Sequence, residues 1–450
     1  MTFDAFKEEV ARRAEEAGAE AFELYSVRNK TMEVAAHEGE VDTFSSDQDF
    51  AVNLRLLAGG RMGYATTQVL SPEEASWLVE SALDSARATQ NADIDEICAP
   101  AEGFAAQTDG LSEPEALYSQ LQRQVLTAER ACLAADRRIA SVSDAQAAWG
   151  GGTRAIYNSR GLDLSDETCY AVGVIGPTAK EGGRSYNEYE VAAAPDPSAL
   201  DLPSAAQKAV EATLSFIGSE PADTGRYAVA LAPEVACDLL GTFSGVFSGL
   251  SAVKGLSLLK GREGEAVAAP ALTLRDDPFC MEAILHRRFD DQGVPTFGKD
   301  LIEKGVLKTL LHNRKTAALL GAETTANAYK AGASAPLGVT PTNLYFTPSD
   351  RSRAQLLEEM GEGVFITNVK GLHAGANPTT GDFSLEAKGY LVTGGQLGRP
   401  VSGITVAGNF YQLLKDVRGL ADDLAFDAPG GAGQIGSPTV WVDGLSVSGR

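Results

Sequence analysis

The stretch Ala21–Thr67, AFELYSVRNKTMEVAAHEGEVDTFSSDQDFAVNLRLLAGGRMGYATT, decides how the first half of the chain is read. Phe22, Leu24 and Ser26 alternate with charged or aromatic positions, and Val52, Leu54 and Leu56 share one face. That is the period-two pattern of strands. His37-Glu38-Gly39-Glu40 and Ala58-Gly59-Gly60-Arg61 read as tight turns. The expectation is a meander of about four strands.

Helical patterns flank it. Phe3, Phe6, Val10 and Ala14 recur at helical spacing, with Gly18 as a stop. Ser71-Pro72-Glu73-Glu74 joins an N-cap, a proline at the first helical position and a capping-box glutamate, predicting a helix to about Ala88. Residues 91–110 read as loop. A second helix should open near Ser112-Glu113-Pro114 and reach about Asp136. Strands return over 138–193, with turns expected at Gly150-Gly151-Gly152, Asn158-Ser159-Arg160-Gly161 and Glu181-Gly182-Gly183. A helix over about 203–217 closes this half, and Gly218–Gly225 has the composition of a linker.

A strand Tyr227–Leu231 and a helix opening at Pro233-Glu234 begin the second half. Beyond about 250, short apolar runs separated by glycine predominate, such as Gly363–Val369, Gly389–Val392 and Thr439–Val447. The fold class expected is α+β. An N-terminal α/β domain (1–220), with antiparallel sheet and helices, precedes a β-rich C-terminal domain (225–450). The 450 residues exceed one ordinary core, and 47 glycines favour hairpins over a helical bundle.

A net charge of −23 repels phosphate backbones and anionic lipid, so neither nucleic acid nor membrane is an expected partner. The densest basic run, Arg287-Arg288, is short and lies beside acids. Cys98, Cys132, Cys169, Cys237 and Cys280 are scattered and form no C-x-x-C pair, so buried free thiols in a reducing compartment are expected. No signal peptide is read at the N-terminus, and 236–253 is too polar to span a bilayer, so the expected location is cytoplasmic.

Ligands and bases are few. His37, His286, His312 and His373 are the only histidines, and no two lie within a helical turn. His37-Glu38 falls on a hairpin turn, not on a helix that could place two ligands on one face. His286 sits in a charged segment that suits a surface or interface, and His312 reads as a half-buried strand histidine. His373 lies in a glycine-flanked loop, where function is more common. No nucleophile elbow, P-loop or dinucleotide fingerprint occurs.

Several segments, in order, resemble the TldD/PmbA family. They include Met32-Glu33-Val34 to Val41-Asp42, Asn53-Leu54-Arg55, Gly63-Tyr64-Ala65, Asn158-Ser159-Arg160-Gly161 and Thr224-Gly225-Arg226-Tyr227. Toward the C-terminus they include Gly371-Leu372-His373-Ala374-Gly375-Ala376-Asn377-Pro378, Thr380-Gly381-Asp382-Phe383-Ser384, Gly403–Asn409 and Gly433-Gln434-Ile435-Gly436-Ser437-Pro438.

The resemblance implies a paired assembly. The TldD type holds one metal through a His-Glu-x-x-x-His helix and a distant cysteine for peptide hydrolysis, and the PmbA (TldE) type lacks those ligands. Here the corresponding positions fall near Gly241, Thr242, Val246 and Pro429. The run Gly241–Gly249 contains no His, Glu, Asp or Cys, and no cysteine follows Cys280. The resemblance therefore implies a chain of PmbA (TldE) type with no metal and no other cofactor, inactive as a peptidase on its own. Its partner would be a TldD-type metalloprotease subunit or a second copy of itself.

The glycine loops carrying His373, Gly375, Asn377 and Asp382, and Gly433 and Gln434, are the expected contacts for extended peptide, taken as an added strand. The family is also linked to peptide maturation and antitoxin degradation. Two alternatives stand beside this: a metal-free homodimeric binding or regulatory protein, to which the family label modulator of DNA gyrase belongs, and a stand-alone hydrolase built on a serine or a rearranged metal site.

Overall fold

A computed structural model describes residues 1–90, 96–108 and 110–450. The elements of the first half are α1 (Phe3–Glu16), β1 (Ala21–His37), β2 (Glu40–Ala58), β3 (Arg61–Thr67), α2 (Pro72–Ala88), α3 (Leu117–Ala135), β4 (Ile139–Asn158), β5 (Asp163–Glu181), β6 (Arg184–Asn187), β7 (Glu190–Ala194) and α4 (Leu202–Ser215). Their strands form one antiparallel sheet in the order β3-β2-β1-β4-β5-β6, with β7 also on β5.

The strands are longer than the sequence pattern suggested. Ala21–Thr67 makes three strands, not about four, because β2 runs unbroken for 19 residues. The expected turn at Gly150–Gly152 is instead the middle of the 20-residue β4. A strand of that length spans on the order of 65 Å, too far for one core. The sheet accordingly carries two. Phe22, Leu24, Val52, Leu54 and Leu56 pack against α1 and α2, and Val34, Val142, Ala147 and Trp149 pack against α3 and α4. Two of the three glycines keep side chains out of a crowded crossing: a Cβ at Gly151 would stand 2.7 Å from Leu111, and one at Gly152 2.8 Å from Asn29 Oδ1.

Local signals hold with two amendments. Ser71 caps α2 by accepting from Glu74 N, but the Glu74 carboxylate turns to Thr67 Oγ1 at 2.8 Å and does not complete the capping box. Helix α3 begins at Leu117, later than expected, after Ala116 in the left-handed region at φ 51°. The loop read over 91–110 lies partly outside the described residues.

The second half continues with β8 (Gly225–Leu231), α5 (Pro233–Phe243), a 3-10 turn (Ser244–Phe247), α6 (Gly249–Val253), β9 (Leu274–Asp276), β10 (Lys299–Glu303), β11 (Val306–Leu307), α7 (Arg314–Leu320), β12 (Ala328–Tyr329), β13 (Gly338–Val339) and β14 (Leu344–Phe346). Then come α8 (Arg353–Met360), β15 (Gly363–Lys370), α9 (Leu372–Gly375), β16 (Asp382–Thr393), β17 (Gln396–Asn409), α10 (Phe410–Asp416), β18 (Val417–Leu420), β19 (Ala425–Phe426), β20 (Ile435–Ser437) and β21 (Val440–Ser448). One sheet runs β17-β16-β15-β8-β21-β18, and an extra pairing of β17 with β21 closes five of its strands into a barrel. The other runs β11-β10-β9-β14-β20-β19. The architecture is α+β. No helix among the described residues is long and apolar enough to cross a membrane. Four of the cysteines are buried free thiols as expected, but Cys169 is exposed.

Candidate functional site

Helix α5 carries Gly241 and Thr242, two of the four positions singled out in the sequence. Pro233 starts it, Glu234 sits favourably in its first turn, and Val235, Ala236, Leu239, Leu240 and Phe243 bury one face in the core of the second half. The remaining positions face β19, β20 and α9. A Cβ at Gly241 would meet Ile435 Cγ1 at 3.5 Å, ordinary contact distance, so the helix packs directly on β20. Thr242 is half-buried, Val246 is buried in the following turn, and Pro429 is buried in the loop before β20. This is a seam of small and apolar groups.

Acids surround the seam. Asp238 is pushed up to about 6, chiefly by burial and then by Glu234. Asp427 is also pushed up to about 6 by burial; the Ile435 N–H at 2.8 Å opposes the shift and Asp238 adds to it. Both residues are exposed, so solvent screening reduces, without cancelling, what these shifts contribute to stability. From the first half, Tyr189 and Glu190 stand close enough for Asp238 and Glu234, respectively, to add to the upward shifts that burial imposes. Cys237 is buried, donates weakly to Ala425 O at 3.6 Å, and is held protonated by burial and by Asp427.

These donors do not fit a zinc ion. The four positions supply neither imidazole nor thiolate, and the Cys237 thiol is turned toward Ala425 O. Among the described residues no group of three or more His, Cys, Asp and Glu is arranged to hold a metal. Nor does any serine hydroxyl bond a histidine there. His312 is fully buried, not half-buried, with Nδ1 3.3 Å from Thr316 Oγ1 and its pKa lowered by burial. His286 is exposed, its Nε2 at 3.0 Å from Cys280 O, and His37 lies on the exposed β1–β2 turn.

The residues expected to touch peptide fall into two groups, one at α9 and one at β20, and α5 contacts both elements. His373 is exposed on the four-residue α9, Asn377 is exposed in the loop that follows, and Asp382 is exposed at the start of β16. That loop is braced by Asn377 N to Asp382 O at 2.8 Å and by Asn409 Nδ2 to Asp382 Oδ1 at 2.9 Å. A Cβ at Gly375 would lie 2.3 Å from Ser384 O, so glycine is required there. Gln434 is buried and fully engaged: Oε1 accepts from Ile284 N and Leu285 N at 2.6 and 3.1 Å, and Nε2 donates to Asp427 O at 2.6 Å. Gly433 lets the chain pass Thr342 O, which a Cβ would approach to 2.0 Å. No hydrogen bond joins the two groups among the described residues.

A second constellation escaped the sequence reading. Asp291 is wholly buried where the halves meet. It accepts from Tyr25 Oη at 3.0 Å, Arg154 Nη1 at 2.7 Å, Arg287 Nη2 and Lys330 N at 2.7 Å. Burial alone would raise its pKa, but Arg287 and Arg154 override this and hold it below the ordinary carboxylate value. Arg154 also lies 4.2 Å over the Phe289 ring, and Arg288 pairs with Asp166 at 2.8 Å. The tandem acids in Phe289-Asp290-Asp291-Gln292-Gly293 were the available signal. Asp290 takes the turn hydrogen bonds from Gln292 N and Val294 N, which frees Asp291 to face the first half.

The fold is that of a metallopeptidase family. Three family models match in chain order: the PmbA/TldA metallopeptidase domain 1 (22–86), central domain (113–216) and C-terminal domain (224–449). The chain belongs to the PmbA/TldD family. It is 28% identical to metalloprotease PmbA of Escherichia coli O157:H7 over 91% of both chains. It is 27% identical to a metalloprotease PmbA homolog of Haemophilus influenzae, over 97% of this chain and 94% of that one. Among solved structures it resembles one from Thermotoga maritima described as a candidate modulator of a DNA gyrase (TM-score 0.87, 29% identity, 99% of this chain and all of that one). It also shares its fold with TldE from Thermococcus kodakarensis (TM-score 0.85, 22% identity, 98% of this chain and all of that one).

Proposed function

We propose that this chain is a non-catalytic, cytoplasmic subunit of TldE type that pairs with a TldD-type metalloprotease and helps it hold extended peptide. The observation that carries the reading is the α5 seam: where a peptidase of this family needs imidazoles, a glutamate and a thiolate, this chain offers Gly241, Thr242, Val246 and Pro429, packed on Ile435. In this reading residues 1–220 and 225–450 act as two domains, and the partner supplies the metal and the hydrolytic water.

The loops Gly371–Gly381 and Gly430–Gly436 flank the seam, and β19, an outer strand of its sheet beside α5, offers an edge to which a peptide could add. The acids Asp238, Asp427 and Glu234 would favour a basic segment of that peptide. The test is to mix the purified chain with a TldD-type chain of the same genome, then follow size-exclusion behaviour and cleavage of an unfolded peptide. A 1:1 complex that cleaves, with this chain silent alone, is the expected result. A symmetric dimer indifferent to the TldD-type chain would favour a homodimeric regulatory protein, and cleavage by this chain alone would make it a hydrolase.

A further inference from the structure

A cavity of about 730 Å³ lies between β1–β3 of the first half and α6 and α7 of the second, away from the α5 seam. One wall is apolar: Leu250, Val253, Leu319 and Leu337, with Leu319 left 52% exposed. The lining also carries Glu23, Arg55, Asp291, Lys254, Lys315 and Lys330. Glu23 is held by Arg55 at 2.7 Å, and Asp291 is held by Arg154 and Arg287. Both acids are therefore already answered.

Lys330 is not. Its Nζ lies 4.4 Å over the Tyr25 ring and reaches only Asn53 Oδ1, at 3.4 Å, and it forms no ion pair among the described residues. Lys254, at the C-terminal end of α6, lines the same cavity and likewise forms no ion pair there. Among its described residues the cavity carries Arg55, Lys254, Lys315 and Lys330 against Glu23 and Asp291, in a protein of net charge −23. It attracts small anions while the surface around it repels them.

We propose that this cavity binds a carboxylate joined to an apolar body, the carboxylate on Lys330 and the apolar body on Leu250, Val253, Leu319 and Leu337. Such a ligand is either the C-terminus of a short apolar peptide or a free aliphatic acid. It satisfies both parts of the lining at once, because a buried ammonium gains a charge-assisted partner while apolar surface leaves water. Burial and Arg55 push the Lys330 pKa down to about 8 against the opposing pull of Glu23 and Asp291, and a bound carboxylate would push it back up. The site requires no partner chain, so its failure would leave the subunit reading untouched.

The experiment is titration of the full chain with N-acetyl-leucyl-leucine, its C-terminal amide, and octanoate, read by calorimetry and saturation-transfer NMR. The acid dipeptide should bind at least tenfold more tightly than the amide. Lys330→Met should erase that preference, Lys330→Arg should keep it, and Val253→Trp, which fills the apolar wall, should abolish binding. Octanoate binding as well as the dipeptide would identify a free acid, whereas binding of the dipeptide alone would identify a peptide C-terminus. Equal binding of acid and amide by the wild-type chain, or no binding of either acid at millimolar concentration, overturns the proposal. So does a folded Lys330→Met chain that still prefers the acid.

Discussion

Replacing Asp291 with alanine tests how the two halves are held together. The carboxylate has no solvent exposure, and the guanidinium side chains of Arg154 and Arg287 are 12% and 10% exposed. Removing it strands two buried cations and takes the acceptor from Tyr25 Oη and Lys330 N. Breaking a buried ion pair from one side costs about 3–5 kcal/mol, so a loss of about 4 kcal/mol is expected. The triple variant Arg154→Met, Arg287→Met, Asp291→Leu removes the charges together. Such replacements are often close to neutral. Beyond Tyr25 Oη and Lys330 N, which both variants orphan equally, the triple variant leaves Phe289 O without its guanidinium donors, at about 1–3 kcal/mol. The triple variant should therefore be about 2 kcal/mol more stable than the single one. Urea unfolding reports this through Trp149 in the first half and Trp441 in the second, with calorimetry as a check. An Asp291→Ala chain within about 1 kcal/mol of wild type, or a triple variant no better than the single one, would refute the account. Because the folded pKa of Asp291 is depressed, its contribution is present above the ordinary carboxylate pKa and is lost as pH falls through the folded value.

Further outcomes follow from other sites. Gln434→Ala orphans Ile284 N and Leu285 N and should cost about 2–4 kcal/mol in the same urea assay, whatever happens to peptide binding. Gly389→Ala places a Cβ 1.9 Å from Phe365 O; an overpacked backbone of this kind should lose about 1–3 kcal/mol, read as a lower melting temperature. Asp238 and Asp427 have raised folded pKa values of about 6, so the folded chain binds more protons than the unfolded one between the ordinary carboxylate pKa and 6. Stability should fall as pH rises through that window, and Asp238→Asn should flatten the slope in melts taken from pH 4 to 7. Chain purified without chelator should carry well under one metal ion by elemental analysis; a stoichiometric ion would return His286, His312 and His373 to consideration as ligands.

The fold was legible where the sequence speaks locally. The alternation over Ala21–Thr67, the Ser71-Pro72 start of α2 and the face formed by Phe6, Val10 and Ala14 depend on neighbours a few residues away. Gly150–Gly152 misled because glycine marks two different needs. In a turn it permits a positive φ, whereas in β4 it removes a side chain from a crowded crossing, and only tertiary structure tells these apart. The positions near Gly241, Thr242, Val246 and Pro429 can be named from residue type alone, and the structure shows them as small or apolar groups at the end of α5 and before β20. The Asp291 network was not legible, since its members are distant in sequence and meet only when the halves dock. Gln434 shows the limit of a loop reading: its side chain is spent inside the protein, which no local pattern disclosed.

The barrel has a consequence for how the chain is made. Strand β21 lies between β8 and β17, so residues 440–448 are the stave that closes a cylinder begun at Gly225. The first half needs nothing beyond about residue 215 to complete its sheet and can settle as it leaves the ribosome. The second half holds two open edges, β8 and β17, until almost the last residue has been synthesised. Unpaired edges recruit other strands. Aggregation of this protein should therefore begin in chains stalled or cut shortly before Val440, and an amber codon at 438 should send the product to the pellet while one at 218 yields a soluble fragment.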